Sequence, residues 1–555
     1  MVNVRAEPAE SSSRHPNGKP RGLGRFAPSR PGYTGLAFVC LNLVNRGSAR
    51  NTVDAVEAFL RHPVRSDSAP RTSLAPYLLG AGLAAALFVM ITAVYGHPVL
   101  PLDDAYITVH DAQALMLHGG HDPNYLGVSP LDGETSLVHL ALVAWFVPLG
   151  GQWASYLVSW LAILAYVLGV IRLARVFNLG RVGMGLIVAM AVTTGAMGYQ
   201  LLNGLETGLA MATGVWLLAL AIERRHLVGF GLLCGVAPFV RPELGVLALL
   251  LIGAVGWEQI RARDFHGLSR VLIAALIGAA PWLLWSWFAT GDILPATLSA
   301  KAAWFAEQGL PATTKRHYFW LAFWNFGRQI GPLLLIAPLL AAFLVGRVAL
   351  LFGLIFYGVY FYRYSTELSF YFNRYQYILI PGLLLGLVWL IGRSSRLCRA
   401  TGLLLASASL VFALVTFPGH WAAWTGSRNF TTAQLRPVAE WADAHIPTTS
   451  VVMVHDAGYI AYGTDLHLVD LVGLKTPAAV TLNKQYITKE TDWSGRATAL
   501  NRLARLEHVQ YLIVLNGWDY DFGITRAFQD NGWSLKPLRT VSGPNGYDVY
   551  AMTPG

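Results

Sequence analysis

Between Tyr77 and Pro418, apolar runs of roughly 14 to 22 residues follow one another with only short polar breaks, each near the length an α-helix needs to cross a bilayer. A chain so patterned must satisfy its backbone inside helices, because lipid offers no hydrogen bonds. The candidate spans are 77–96, 152–172, 183–202, 207–222, 226–240, 244–258, 270–290, 329–346, 347–364, 376–392 and 401–417. This predicts a polytopic α-helical membrane protein with about eleven transmembrane helices. Composition agrees, since 54% of the 555 residues are hydrophobic and 13% are charged. The run 137–149 is short and follows a polar stretch, so it is expected as a juxtamembrane or re-entrant helix.

The formal net charge of +10 is no sign of nucleic-acid binding once the arginines are located. Arg172, Arg175 and Arg181, then Arg224 and Arg225, then Arg261, Arg263 and Arg270, then Arg347, then Arg393, Arg396 and Arg399 occupy alternate interhelical loops. Positive loops face the cytoplasm. Counting 137–149 as a full span would turn all of these arginines outward, so the charge pattern rejects it. The chain is thus expected in a cytoplasmic membrane, surrounded by membrane lipid, with its N-terminus cytoplasmic.

Residues 1–72 are rich in Ser, Pro, Gly and Arg and lack periodic apolar positions, which predicts a disordered cytoplasmic extension without a signal peptide. Residues 73–417 form the membrane domain, with a first outer loop over 97–151. After Pro418 the composition changes. Strand-like runs at 451–454, 467–471, 509–515 and 547–552 alternate with helical patterns at 433–445 and 494–507, which predicts a small α/β domain over 418–555. An odd number of spans places that domain outside the cell. Cys40, Cys234 and Cys398 are far apart and have no metal-ligand spacing, so neither a disulfide framework nor a zinc site is expected.

The same alternation collects the unusual polar motifs at the outer face: Asp103-Asp104, Asn203 to Gly208 with Glu206, Arg241-Pro242-Glu243, Gly291 to Lys301 with Thr297, and Asn373-Arg374-Tyr375. Below them, Trp282, Trp285 and Trp287 fit an interfacial aromatic belt. Asp103 and Asp104 could serve as an acidic helix cap, but a cap needs one carboxylate and two adjacent ones repel. Repulsion and partial burial favour proton abstraction. Arg241 could snorkel and Glu243 could cap a helix, whereas Glu206 has no cationic partner nearby in sequence and leans toward a site role. Lys301 and Thr297 suit a phosphate, and Arg374, flanked by Tyr371, Tyr375 and Tyr377, adds a bidentate fork; headgroup anchoring is the plainer alternative. His110, Asp111, His118, His121 and Asp122 lie close together, but their spacings do not put three ligands on one helical face. They are expected to be solvated loop residues.

Asp103-Asp104-Ala105-Tyr106-Ile107, Gly204-Leu205-Glu206-Thr207, Arg241-Pro242-Glu243, Gly291-Asp292 with Pro295, Thr297 and Lys301, and Arg374-Tyr375 stand in an order that resembles the bacterial GT-C glycosyltransferases. The likeness is greatest to the branch of the mycobacterial terminal arabinofuranosyltransferase. It covers roughly residues 77–475, including Asp470-Leu471-Val472-Gly473-Leu474. Ala296 replaces a common Asn, and Leu244 follows the Arg-Pro-Glu where Gly is more usual. The resemblance implies a GT-C-like membrane domain that uses a polyprenyl-phosphate-linked sugar donor on the extracytoplasmic face.

On that resemblance the reaction is an inverting transfer to a glycan or glycolipid acceptor. The family analogy favours Asp103 as the general base, with Asp104 orienting it or the acceptor. Lys301 and Arg374, with Arg241, bind the donor phosphate, and Glu206, Glu243, Thr297 and Tyr106 contact substrate. The chemistry requires no cofactor or metal, although a divalent cation at the acidic pair is compatible with it. The rival reading is a transporter or flippase of a lipid-linked or anionic solute. Transporters usually show paired repeats and polar groups near midplane. Here no repeat is found and the charges cluster at one end.

Overall fold

The computed structural model describes residues 74–555 apart from 294, 544 and 545. The extension expected over 1–72 lies outside the described residues. Seven helices there are long and apolar enough to cross a membrane: Ala75–Tyr95, Gly151–Val176, Pro242–Arg261, Phe265–Thr290, Leu344–Arg363, and those within Glu367–Ile391 and Arg396–His445. Their outer surfaces are apolar and exposed, as at Leu79, Leu276, Leu354 and Val415. That is the reverse of a water-soluble fold and suits a lipid solvent.

The other four expected spans are shorter or broken. Thr207–Glu223 and Leu227–Val240 are continuous apolar helices but shorter, at 17 and 14 residues. The run 183–202 divides into Arg181–Thr193 and Met197–Leu202, with Gly195 at φ +58 in the break. The run 329–346 is not one α-helix. An α-helix, Ala312–Ile330, ends where Gly331 turns to φ +55, and residues Gly331–Ala342 continue as tight 3-10 turns containing Pro332 and Pro338. Proline cannot donate its backbone hydrogen bond, so a regular α-helix fails there. Lys315 Nζ bonds Tyr362 O at one end of the stretch and Arg347 Nε bonds Ala341 O at the other, so 312–342 runs antiparallel to Leu344–Arg363. Lys315, Arg316, His317 and Arg328 hide the first half of this stretch from a hydropathy reading.

Leu137–Phe146 is indeed short, at 10 residues, and packs beside Asp103–Leu117. The arginines of the alternate loops lie at the end of the bundle opposite the polar motifs, where Arg172 pairs with Glu223 and Arg224 with Glu258.

Pro418 marks no break in the backbone. Arg396–Phe430 continues through it, and after one wide turn the chain resumes as Arg436–His445, so the change of fold comes after 445 rather than at 418. Beyond it lies a five-stranded sheet: β1 (Val451–Val454), β2 (His467–Asp470), β3 (Tyr511–Leu515), β4 (Ser534–Val541) and β5 (Tyr547–Thr553), in the order β2-β1-β3-β5-β4. The first three strands are parallel, and β5 and β4 add antiparallel. Sequence reading misses β4, whose residues are almost all exposed or half-buried. In a parallel sheet the loops after the carboxyl ends of the strands gather functional groups. Here the loop after β1 reaches the membrane domain, because Tyr125 donates its hydroxyl hydrogen to Ala457 O.

Candidate active site

Pro101 and the extended Leu102 set the start of Asp103–Leu117, which puts two carboxylates in the first turn of that helix, where its dipole favours them. Both side chains keep a partly exposed face. The helix Thr297–Trp304 presents Lys301, and Thr297 fastens that helix to the 97–151 segment through a 3.1 Å hydroxyl contact with Thr135. Arg374 arrives by a different route. Tyr371, Phe372 and Asn373 hold φ of 47, 59 and 59°, three consecutive left-handed residues without a glycine. Each costs about 1–2 kcal/mol against its ordinary conformation, so packing must hold the turn in place. The turn sets the Arg374 guanidinium carbon 5.0 Å from the Tyr371 ring centroid and 4.7 Å from that of Tyr375.

Lys301 Nζ and Arg374 Nη1 each lie 3.5 Å from the same atom, Asp104 Oδ2. Burial alone would raise Asp104, but the two cations more than offset it and hold its carboxyl below the ordinary value. Burial also works against the Lys301 ammonium, yet Asp104 makes it hold its proton more tightly than usual. Arg374 Nη2 donates to the Tyr375 hydroxyl, whose own hydrogen goes to Glu367. Arg374 Nε and Nη1 are buried without a hydrogen-bond partner among the described residues. A guanidinium half-satisfied beside an ammonium is a site prepared for an anion with several oxygens.

Asp103 has different neighbours. Its Oδ1 accepts the Tyr459 N–H at 2.6 Å and its Oδ2 the Gly458 N–H at 3.0 Å, both from the loop after β1. Burial, then the Asp456 carboxylate and to a smaller degree Asp104, push its proton affinity well above that of an ordinary carboxyl, against those two donors. The loop fits closely: a Cβ on Gly458 would stand 2.1 Å from Asp103 O, a backbone atom that cannot swing aside. Gly458→Ala is therefore expected to cost about 1–3 kcal/mol through overpacking. A thermal melt in detergent checks it, with wild-type stability counting against so close a seat.

Arg241 is placed apart from the anion site. Its guanidinium is buried and fully engaged, with Nη1 2.8 Å from Glu206 Oε1, Nη2 2.9 Å from Glu243 Oε1, and the Tyr375 ring 5.0 Å away. Tyr360 donates to the same Glu243 oxygen. Glu206 and Glu243 thus have Arg241 as partner, and the three form a brace beneath Tyr375. Tyr106 is also sealed: its hydroxyl accepts from Leu100 N and Gln152 Nε2, and its ring packs edge-on against Tyr459.

His110, Asp111 and Asp122 are buried, not solvated as their loop position predicts. Their ligand atoms all lie within 4.8 Å of one another. Lys475 from the C-terminal domain enters this cluster, with Nζ 2.7 Å from Asp111 Oδ1 and 3.2 Å from Asp122 Oδ2. An ammonium stands where a metal would need both carboxylates. The acidic pair fits a divalent ion no better, since Asp104 is matched by two cations and Asp103 by two N–H groups.

Sequence reasoning missed His455, Asp456, Lys475 and Glu367. The one available signal was position: His455 and Asp456 follow β1, and Lys475 ends the turn after β2.

Among known proteins, a family model for a domain of unknown function, DUF8728, matches residues 427–550. No curated protein matches the chain. Among solved structures, ArnT from Cupriavidus metallidurans bound to undecaprenyl phosphate superposes with a TM-score of 0.54 at 12% identity, covering 86% of this chain and 98% of that one. Its apo state gives 0.51 at 13%, covering 85% and 98%. Arabinofuranosyltransferase AftD from Mycobacteria gives 0.48 at 15% identity, covering 87% of this chain and 42% of that one. Identities this low speak for the fold alone. The chain is a multi-pass membrane protein with the GT-C fold, carrying a small C-terminal α/β domain.

Proposed function

We propose that the chain is an inverting membrane glycosyltransferase. It moves a sugar from a polyprenyl-phosphate donor to a glycan or glycolipid acceptor on the extracytoplasmic face of a bacterial cytoplasmic membrane. The observation that carries this reading is the convergence of Lys301 and Arg374 Nη1 on one Asp104 oxygen, with neither Nη1 nor Nε of Arg374 hydrogen-bonded to an acceptor among the described residues. That ArnT binds undecaprenyl phosphate on the same fold supports the donor class.

In this mechanism the donor phosphate takes the cations that Asp104 now holds. The acceptor hydroxyl gives its proton to Asp103 as its oxygen bonds the anomeric carbon. The bond from that carbon to the phosphate oxygen breaks on the opposite side, and Lys301 and Arg374 meet the charge left on the polyprenyl phosphate. Inversion separates base from leaving group, which suits Asp103 because it lies off the cation pair. Arg241, with Glu206 and Glu243, positions Tyr375 and through it Arg374. No cofactor has a step to perform. The groups of the candidate site gather at one end of the bundle rather than near its middle, which does not favour the transporter reading.

The test is the purified protein in vesicles with a panel of radiolabelled polyprenyl-phosphate sugars and envelope glycans. Transfer of label with release of polyprenyl phosphate is expected. Movement of an intact lipid-linked sugar between leaflets without bond cleavage would replace this reading with transport. Lys301→Ala is expected to raise the apparent donor KM by roughly ten- to a hundred-fold, the loss of one charge-assisted hydrogen bond. An unchanged donor KM would remove Lys301 from the phosphate site.

A further inference from the structure

The loop His455-Asp456-Ala457-Gly458-Tyr459 leaves the carboxyl end of β1 and is pressed onto the first turn of Asp103–Leu117. Two of its N–H groups hold both oxygens of Asp103, and the acid two residues earlier is Asp456. The Asp456 carboxylate is itself fixed, because Tyr547 of β5 donates its hydroxyl hydrogen to it and His455 Nε2 stands 3.1 Å from its Oδ2. His455 has a fully buried side chain, its ring 4.8 Å from that of Trp518 and 6.1 Å from that of Tyr547, and neither ring nitrogen has a hydrogen-bond partner among the described residues. A solvated loop acid would need none of this support. A carboxylate fixed in the very loop that grips a second carboxylate is costly, and such cost concentrates at functional sites.

We propose that Asp456 is a positioning residue of the transferase centre, delivered by the C-terminal domain and acting through Asp103. The proposal rests on the transferase reading and assigns to the 427–550 domain a part in the chemistry. Burial would raise Asp456, but His455 and the Tyr547 hydroxyl outweigh it and hold its carboxyl below the ordinary value. Its charge then makes Asp103 a stronger base than an aspartate facing water. The groups around Asp103 are Asp104 and Tyr106 on its own helix, Tyr125 in the outer loop, Tyr371 beside Arg374, and Asp456, Tyr459 and Tyr547 from the C-terminal domain. Lys301 and Arg374 reach the pair through Asp104. Asp456 is the one of these whose charge bears most on Asp103.

Two readouts on the full-length protein separate this claim from the reaction assignment. Infrared titration follows protonated carboxyl groups without turnover, and the Asp103 band is identified by its loss in Asp103→Asn. In Asp456→Asn that band should titrate about one pH unit lower, the usual scale for removing an adjacent like charge. Kinetically, the base works deprotonated, so the acid limb of kcat/KM should move down by the same interval while donor KM stays unchanged. Asp456→Glu keeps the charge and should restore the limb. A band and limb left in place in a folded Asp456→Asn variant would overturn the proposal, as would a limb that Asp456→Glu fails to restore. Should wild type show the coupled titration but transfer no sugar, the reaction assignment fails and the carboxylate coupling stands.

Discussion

Asp103→Asn is expected to lower kcat by roughly 10²- to 10⁴-fold, the usual contribution of a positioned general base, with donor KM near that of wild type. The two carboxylates do different work, and this variant separates them. Asp104 is tied to Lys301 and Arg374, so removing its charge should disturb the anion site and donor affinity first. Asp103 touches neither cation. Asn at 103 keeps one acceptor and loses the other, so one of the Gly458 and Tyr459 N–H groups is left unmatched. That costs about 1–3 kcal/mol of local stability, which a melt must measure alongside the kinetics. A rate loss much larger than a destabilised population explains, at saturating donor, is the expected signature. Transfer within ten-fold of wild type would instead assign proton removal to another group, and Asp104 would be the next to test.

The architecture was legible where physics is local. Length and apolarity mark each long helix, and the strand patterns of β1, β2, β3 and β5 stand out because their inward residues are apolar. Breaks are less visible: at 331–342 two prolines and a glycine leave an apolar run apolar while ending its α-helix. The candidate site was legible through the order of its motifs, not through their geometry. Asp103 and Gly458 are 355 positions apart, and Asp111 and Lys475 are 364. No local pattern encodes such a meeting. The partners of Arg241 are nearer, Glu243 two positions on and Glu206 35 before, yet Arg241 reads as a free cation until Glu206 is folded against it. Asp470 is the instructive case. It stood out only as part of a familiar string, yet its carboxylate accepts the N–H groups of Val472, Gly473, Leu474 and Lys475, which shapes the turn that aims Lys475.

That turn leads to the second large effect: Lys475→Ala is expected to cost about 3–5 kcal/mol in the docking of the C-terminal domain, the price of stranding a buried charge partner. Lys475 has no exposed surface, and beyond Asp111 and Asp122 its ammonium bonds Asp132 O at 2.9 Å. Gly133, at φ +90, lies so close that a Cβ there would stand 2.7 Å from Lys475 Cδ, so the loop around Gly133 is shaped to this one side chain. Without the ammonium, Asp111 loses its counter-charge, and Asp122 is left with His110 and the N–H groups of Asn124 and Tyr125. The contacts that follow it, Leu468 N to Asn124 O and Asn124 Nδ2 to Thr464 O and Leu466 O, then have less to hold them. Hydrogen exchange at the Leu468 amide reads that opening directly, since local opening free energy sets the exchange rate. Pairing Lys475→Met with Asp111→Asn removes the stranded charge as well as the ammonium, and should recover much of the loss. Exchange at Leu468 unchanged in Lys475→Ala would mean that the domain is held by the Asp103 contacts instead, and Gly458→Ala should then open the same amide.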